Sequence, residues 1–303
     1  MSLIEKALRK TREMGGKPIA SQAPTTEAAL PDRAEIAAPA DLVRGAPAQR
    51  LKLDMDRLRN RGMLPPDDAQ RRHVSQIRAI KNQLLRTARA SGSASDRVIM
   101  ITSPLSGDGK TFSSISLALS LATERDFHVL LVDGDVPKPS VGQLFGIDSA
   151  LGLLDAARDR SLDVEPMIVG TDMPGLDLLA AGRGGAEAAE VMSSAGMRGV
   201  IERLSAVPNR IVLLDSPPLL QTSEAAVLAH YAGQVLLVVR EAVTPQRAVQ
   251  ESLTMLGERA GVSLVLNGAT DSRLEQYYYG YGRDYAYGQQ NAESDRAREV
   301  VVG

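Results

Sequence analysis

The segment from Ser103 to Thr111, Ser-Pro-Leu-Ser-Gly-Asp-Gly-Lys-Thr, contains the residue types that bind phosphate groups in proteins. Gly107 and Gly109 allow the backbone to turn and to approach an anion without a Cβ in the way. The N–H groups of such a loop, together with the N-terminus of a following helix, attract phosphate. Lys110 would reach the terminal phosphates of a nucleotide, and the Thr111 hydroxyl would ligate Mg²⁺.

The loop departs from the strict phosphate-loop pattern at one position, because Pro104 stands where that pattern has Gly. The Gly-Lys-Thr ending between a predicted strand and a predicted helix still favours a nucleotide site over a chance loop. The predicted nucleotide-binding residues of this segment are Ser106, Gly107, Asp108, Gly109, Lys110, Thr111 and Phe112.

Three aspartates are predicted to lie at one edge of the same sheet. Asp133 directly follows the apolar run 129–132, and Asp135 lies two residues further on. Asp215 directly follows the apolar run 210–214. The carboxyl ends of parallel strands share the edge at which ligands bind. Carboxylates beside a polyphosphate repel it unless a cation lies between them, so the arrangement predicts Mg²⁺, which takes oxygen ligands and shares substrate phosphates. Aspartates that only cap the following helices are the simpler alternative.

These residues need a fold that brings the loop and the strand ends together. From Arg97 onward, short runs of Val, Leu and Ile alternate with segments of helical composition. Such runs predict an α/β fold of the P-loop NTPase type, in which helices cover both faces of a mostly parallel sheet. We predict strands at 97–102, 129–132, 176–179, 210–214, 234–239 and 262–266, and helices at 70–90, 111–121 and 188–205.

Composition restricts the classes of protein to which the chain can belong. A length of 303 residues and a hydrophobic fraction of 44% allow a sizeable core, and a net charge of −2 gives no reason to expect a nucleic-acid partner. The absence of Cys excludes disulfides and thiolate metal sites and is compatible with a reducing compartment. No apolar run approaches the ~18 residues that span a bilayer. His73, His128 and His230 lie far apart in sequence, which favours surface or packing roles.

The N-terminal part of the chain precedes the alternating pattern. Residues 1–10 place four apolar side chains on one face of a predicted helix, which either packs on its own domain or docks on a partner or a membrane surface. Residues 15–50 are rich in Ala, Pro, Gly and Thr and are predicted to be a linker or disordered. Residues 50–90 are strongly basic, and the helix predicted at 70–90 presents its charges either to solvent or to a neighbouring subunit.

Six of the seven tyrosines lie between Tyr277 and Tyr287, although aromatic residues are scarce elsewhere. They stand among Gly, Gln and charged residues without a steady period, which is typical of a solvated tail rather than a core element. A low-complexity linker without chemistry is one interpretation of this segment. A phosphate-binding loop in the same chain favours the other, in which the phenol hydroxyls accept phosphate.

Together, these motifs resemble those of the bacterial tyrosine kinases, P-loop autokinases that accompany exopolysaccharide synthesis and export. The resemblance rests on the phosphate loop, the run 133–135, the run 214–218 and the tyrosine cluster, and it covers residues 50–290 approximately. The opening Met-Ser-Leu-Ile-Glu-Lys-Ala-Leu resembles the exosortase-associated branch, in which the kinase is a separate soluble chain.

The resemblance implies a role for each matching residue. Lys110 and Thr111 match the phosphate-binding Lys and the Mg²⁺-ligating hydroxyl. Asp133 and Asp135 match an acidic motif that serves Mg²⁺ and activates the attacking tyrosine, and Asp215 matches the acid that holds the metal through water. The implied catalytic residues are therefore Lys110, Asp133, Asp135 and Asp215, and the implied metal ligands are Thr111, Asp133 and Asp215.

Two further matches lie near the end of the chain. Asn267, at the end of the last predicted strand, matches a position near the adenine in related folds. The implied phosphoacceptors are Tyr277, Tyr278, Tyr279, Tyr281, Tyr285 and Tyr287.

The chain departs from the family pattern at two places. The family has Arg shortly after its aspartate pair, whereas here Pro137 and Lys138 follow, and Lys lacks the planar bidentate fork of Arg. The helix predicted at 70–90 resembles the family's Glu-x-x-Arg-x-x-Arg/Lys oligomerisation motif in Arg78 and Lys81, but Ser75 stands in place of Glu.

The motifs and the resemblance predict an ATP- and Mg²⁺-dependent kinase that phosphorylates the tyrosine cluster of a neighbouring copy and regulates exopolysaccharide synthesis or export. The expected partner is a membrane-anchored chain-length regulator, with self-association through the 70–90 helix and the tyrosine tail, and no nucleic acid. The expected location is the cytoplasm, at the inner face of the membrane. The expected organisation is an N-terminal helix and linker at 1–50, a kinase domain at 51–270 and a tail at 271–303.

Two alternatives remain open. One is an ATPase switch like the partitioning and cell-division-site ATPases, although these carry an early loop Lys where this chain has Leu105. The other is a nucleotide-binding scaffold that regulates a polysaccharide machine without kinase activity.

Overall fold

One seven-stranded sheet carries the strand ends that the sequence predicts to meet. The computed structural model describes residues 50–90, 92–147, 151–258 and 261–269. The strands in these ranges are β1 (Val98–Thr102), β2 (His128–Asp133), β3 (Val169–Gly170), β4 (Leu176–Leu179), β5 (Arg210–Asp215), β6 (Gln234–Arg240) and β7 (Val262–Asn267). Their order is β3-β4-β2-β5-β1-β6-β7, and every neighbouring pair is parallel except β3 and β4.

Helices follow most of the strands, and two short 3₁₀ turns lie at Ser95–Arg97 and Glu165–Met167. The α-helices of the described ranges are α1 (Met55–Asn60), α2 (Gln70–Ala90), α3 (Lys110–Leu121), α4 (Val141–Phe145), α5 (Leu153–Arg158), α6 (Ala188–Met192), α7 (Ala195–Ala206), α8 (Ser223–Tyr231) and α9 (Gln246–Leu256).

The strands alternate their side chains between two hydrophobic cores, one on each face of the sheet. In β1, Val98 and Met100 join the core covered by α5 to α9, whereas Ile99 and Ile101 join the core covered by α1 to α4. All five residues of β1 are buried. Burial on both faces accounts for the nearly continuous apolar runs, because neither face of such a strand meets water. The predicted α/β fold of the P-loop NTPase type is confirmed.

Two details differ from the sequence-based expectation. The single helix predicted at 188–205 is two helices, because Ser193 bonds back to the carbonyl of Ala189 and Ser194 begins the next helix as its N-cap, accepting from the N–H of Met197. Serines compete for backbone groups in this way and favour helix ends. The strand β3 was not predicted, since two residues that include a Gly show no period.

Several predicted features fall outside the described residues. These are the N-terminal amphipathic helix at 1–10, most of the linker at 15–50 and the tyrosine cluster at 277–287. None of the helices that the structure describes combines the length and the apolar character needed to cross a membrane.

An ion pair between a buried guanidinium and a partly exposed carboxylate lies at the start of β5. The guanidinium of Arg210, with a side chain 1% exposed, donates from Nη1 and Nη2 to the two carboxylate oxygens of Glu165, at 2.6 and 2.8 Å. The Glu165 side chain is 38% exposed. The pair is therefore asymmetric, because water reaches the carboxylate but not the guanidinium.

This asymmetry predicts an order of destabilisation. Glu165→Gln should lower the free energy of unfolding by about 2–4 kcal/mol, because it leaves a buried charge without its counter-ion. Arg210→Met should cost less, because it removes the buried charge and leaves a carboxylate that water can solvate. Urea unfolding compares the two with Arg247→Gln, which breaks an exposed pair with Glu251 and should have no measurable effect. A larger loss for Arg210→Met than for Glu165→Gln would contradict the account.

Candidate nucleotide site

The phosphate loop connects β1 to α3 and depends on two glycines. Gly107 and Gly109 have φ values of +91° and +100°, in the left-handed region that disfavours a side chain. A Cβ on Gly107 would meet nothing within 4 Å, whereas a Cβ on Gly109 would lie 2.0 Å from Nδ2 of Asn267. The sequence-based expectation of a glycine turn at both positions is therefore matched by the backbone, and Gly109 also allows a close approach from β7.

The backbone N–H groups of the loop suit an anion. Among the described residues, the N–H groups of Ser106, Gly107 and Gly109 have no hydrogen-bond acceptor. Ser106 and Gly107 are exposed, and Lys110 begins α3, whose first N–H groups have no intrahelical acceptor. Free donors and a helix N-terminus meet here, which is the arrangement that binds phosphate.

Lys110 forms an ion pair across the edge of the sheet. Its Nζ lies 2.7 Å from Oδ2 of Asp135, and the two side chains are 13% and 4% exposed. Asp135 also accepts from the backbone N–H of Lys138 at 3.2 Å. The predicted phosphate-binding cation is thus beside the loop and balanced by one of the predicted carboxylates.

Asp215 holds the hydroxyls of the first turns of α3. Thr111 Oγ1 donates to Oδ2 of Asp215 at 2.8 Å, and Ser114 Oγ donates to Oδ1 at 2.9 Å. Burial raises the pKa of Asp215 to about 6, against the opposing effects of the Lys110 ammonium and of the two hydroxyls. Ser114 was not predicted, although it lies three residues after Thr111 and so on the same face of the helix.

The Asp133 carboxylate, at the end of β2, caps the start of α4 with one of its two oxygens. Its Oδ2 accepts from the backbone N–H groups of Ser140, Val141 and Gly142 at the start of α4. Its Oδ1 is buried and has no partner among the described residues. Burial, with the neighbouring Asp215 carboxylate as a second cause, raises the pKa of Asp133 to about 7, although these N–H groups oppose the shift. Asp133 therefore has the helix-capping role that the sequence left open.

The residues present fit Mg²⁺ only together with other oxygen ligands. Within the described ranges, no three His, Cys, Asp or Glu side chains lie close enough to hold a metal ion by themselves. Asp133 and Asp215 are register partners on neighbouring strands, and the Thr111 hydroxyl bonds to Asp215. Mg²⁺ keeps several waters and shares phosphate oxygens, so this donor set suits a metal that arrives with a nucleotide.

Three other predicted nucleotide-binding residues make contacts within the chain. The Asp108 side chain is buried and accepts from the N–H of Leu105 and the hydroxyl of Thr244. The Phe112 ring packs against His73 of α2, with ring centroids 5.1 Å apart. Asn267 donates from Nδ2 to the carbonyl of Asp108 at 2.9 Å. The loop and α3 are thus held by β7, by the segment after β6 and by α2.

The departures from the family pattern also have defined positions. Lys138 is exposed, at the turn that follows Asp135. Ser75 and Arg78 are exposed on α2, but Lys81 is buried and donates from Nζ to Glu124. Lys81 therefore has an intramolecular partner, and only Ser75 and Arg78 of the predicted oligomerisation motif face solvent.

The fold and this site define the class of protein, which is a P-loop nucleotide-binding α/β protein. No family model matches the chain. Among solved structures, the kinase domain of VpsO shares 30% sequence identity over 67% of this chain and 98% of that domain, with a TM-score of 0.56. The kinase domain of Escherichia coli tyrosine kinase ETK shares 26% identity over 66% of this chain and 78% of that domain, with a TM-score of 0.57. The chain belongs to the bacterial tyrosine kinase family.

Curated relatives agree with this assignment. The putative tyrosine-protein kinase EpsB of Ralstonia nicotianae is 34% identical over 240 residues, which are 78% of this chain. The chain spans only 30% of the length of that relative. The tyrosine-protein kinase YwqD of Bacillus subtilis is 27% identical over 68% of this chain and 90% of its own length.

The two buried aspartates predict how stability depends on pH in the absence of nucleotide and metal. Their pKa values are raised from 3.8 to about 6 and about 7, so the folded chain binds more protons than the unfolded chain in this range. Their contribution to stability is therefore present at low pH and is lost as pH rises through these values.

Asp133→Asn removes one of these two groups and tests the sign. The variant should gain stability relative to the original chain as pH rises, and the gain should be absent near pH ~4, where both carboxyls are protonated. Urea unfolding in metal-free buffer at about pH 4 to 8 measures the difference. A variant whose relative stability falls with rising pH would show that Asp133 is stabilised as the anion.

Proposed function

We propose that this chain is an ATP-dependent protein-tyrosine kinase that phosphorylates the tyrosine cluster at 277–287 on a neighbouring copy. The observation that carries the proposal is the meeting of Lys110, Thr111 and two aspartates at the loop between β1 and α3, in a member of this kinase family. Phosphoryl transfer needs alignment and charge neutralisation more than covalent help, and this site offers both.

The chain's own groups would act in the following way. The loop N–H groups and the Lys110 ammonium would bind the β- and γ-phosphates of ATP and orient them. Mg²⁺, held through Thr111, Asp133, Asp215 and water, would neutralise phosphate charge. Lys110 would leave Asp135 for the phosphate, and this change would free a carboxylate beside the reacting groups.

The proposed proton acceptor is the freed Asp135 carboxylate or the neighbouring Asp133. As the γ-phosphorus bond to the leaving oxygen of ADP breaks and the bond to the tyrosine oxygen forms, the phenolic proton would pass to Asp135 or Asp133. A phenol with a pKa near ~10 loses its proton readily only as transfer proceeds, so a nearby base assists. The products are ADP and phosphotyrosine.

The first test is chemical. The purified chain is incubated with ATP and Mg²⁺ and probed with an anti-phosphotyrosine antibody. Lys110→Met should lower phosphotyrosine formation at least ~100-fold, because the terminal phosphates lose their cation. Lys52→Met, at an exposed lysine, is the matched control and should retain full labelling. Full labelling of the Lys110 variant would refute the assignment.

The second test concerns the copy that receives the phosphate. Asn267 of β7 is hydrogen-bonded to the phosphate loop, and Tyr277 lies ten positions further along the chain, so an extended segment of at most ~36 Å would also allow a tail to reach its own site. A Lys110→Met chain with its tyrosines intact is mixed with an active chain whose six clustered tyrosines are Phe. Phosphotyrosine on the inactive chain supports transfer between copies. An unlabelled mixture, with the wild type labelled, would show that transfer is confined to one chain.

A nucleotide-dependent switch or scaffold without kinase activity is the second candidate. Pro137 and the exposed Lys138 favour it, because Lys supplies a point charge where the family has the bidentate Arg. The same incubation distinguishes the two, since a switch would hydrolyse or bind ATP and leave every tyrosine unmodified.

The cellular role is proposed from the resemblance of the motifs alone. The kinase would regulate exopolysaccharide synthesis or export from the cytoplasmic face of the membrane, with a membrane-anchored chain-length regulator as its activating partner. The exposed basic residues of α2, among them Arg71 and Arg78, and the tyrosine tail would mediate self-association. The 51–270 segment would be the kinase domain, between an N-terminal linker segment and the tail.

A further inference from the structure

Asp108 is an acidic residue in the exposed phosphate loop, yet it is only 2% exposed. Its carboxylate accepts two hydrogen bonds, from the N–H of Leu105 at 3.0 Å and from the hydroxyl of Thr244 at 2.7 Å. A buried charge is costly unless it is fully hydrogen-bonded. The two donors therefore stabilise the buried position of this carboxylate.

Thr244 reaches Asp108 from the segment between β6 and α9. Its backbone N–H donates to the carbonyl of Arg240 at 3.0 Å, and its Oγ1 accepts from the N–H of Arg240 at 2.9 Å. One hydroxyl thus accepts from β6 and donates to the loop. The Arg240 guanidinium adds a second link, since Nη1 donates to the carbonyl of Gly107 at 3.3 Å.

The end of β7 contacts the same loop residue. Asn267 Nδ2 donates to the carbonyl of Asp108, and the Asn267 carbonyl accepts from the N–H of Glu241 at 2.9 Å. The side chain of Asp108 is therefore held by the segment that follows β6, and its carbonyl is held by the end of β7. This brace, defined here as Asp108, Thr244 and Asn267, is built outside the elements that carry the aspartates of the site.

We propose that Thr244 is a positioning residue that holds the phosphate loop in its nucleotide-binding shape by hydrogen bonding to Asp108. The inference rests on the proposed binding of ATP by this loop. Without the hydroxyl, Asp108 gains by turning towards water, and the loop spends more time in shapes whose N–H groups do not converge. The apparent affinity for ATP then falls in proportion to the fraction of molecules whose loop has the binding-competent shape. Hydrogen bonds to charged groups are stronger than those between neutral groups, so we expect the loss of this one to change the affinity for ATP about tenfold.

The test compares Thr244→Val, which keeps the shape but loses the hydroxyl, with Thr244→Ser, which keeps the hydroxyl. A fluorescent ATP analogue is titrated into each purified full-length chain with Mg²⁺. Thr244→Val should bind about tenfold more weakly, and Thr244→Ser should stay within about threefold of the original chain. In the kinase assay, Thr244→Val should raise the KM for ATP and leave kcat at saturating ATP nearly unchanged, whereas a loss of folded protein would lower kcat.

Asp108→Asn provides the second measurement. If Thr244 acts through the Asp108 carboxylate, adding Thr244→Val to Asp108→Asn should weaken binding much less than it does in the original chain, because Asp108→Asn already replaces the charged acceptor of the same hydrogen bond. Equal binding by Thr244→Val and the original chain, equally weak binding by Thr244→Ser and Thr244→Val, or full additivity in the double variant would each overturn the inference. Failure of the original chain itself to bind the analogue would instead overturn the proposed function.

Discussion

The balance of charge at the carboxyl edge of the sheet is the constraint on which the rest of the site depends. Asp133, Asp135 and Asp215 are buried there, and the Lys110 ammonium lies within ion-pair distance of Asp135 alone. Buried carboxylates in such proximity disfavour their ionised forms, and the raised pKa values of Asp133 and Asp215 express this. A divalent cation and a polyphosphate together would supply the missing positive charge and compete for Lys110. These charges therefore suit the metal–nucleotide complex proposed above.

Elements outside the loop hold these groups in place. β7 and the segment after β6 hydrogen-bond to the phosphate loop, and α2 packs on the helix that follows it. Helix α2 packs on α3, with His73 against Phe112 and hydrogen-bonded to Ser116 at 3.0 Å. Lys81 of the same helix is bound to Glu124. Exposed basic residues thus belong to a helix whose other face packs on α3, the helix that follows the phosphate loop. Any partner that engages Arg78 would contact a helix that packs on α3.

Much of the fold and of the site was predictable because the relevant signals are local in sequence. The apolar run Val98–Thr102 indicates a strand buried on both faces, and the glycines at 107 and 109 indicate a turn with positive φ. Other features depend on contacts between distant residues. Thr244 belongs to no recognisable sequence motif, and a contact between residues 136 positions apart produces no periodic pattern in the sequence. The capping of α4 by Asp133 could likewise be given only as an alternative, because an aspartate at the end of a strand can cap a helix or bind a ligand, and the residue type does not distinguish the two.

The central claim is that Lys110 exchanges its partner from the Asp135 carboxylate to the terminal phosphates of a nucleotide. A crystal structure of the chain with Mg²⁺ and a non-hydrolysable ATP analogue measures this directly. The account predicts phosphate oxygens against the N–H groups from Ser106 to Gly109, a Lys110 Nζ that has left Asp135, and a metal ion beside Thr111. A nucleotide bound elsewhere, or an intact pair between Lys110 and Asp135 with the analogue in the loop, would contradict it.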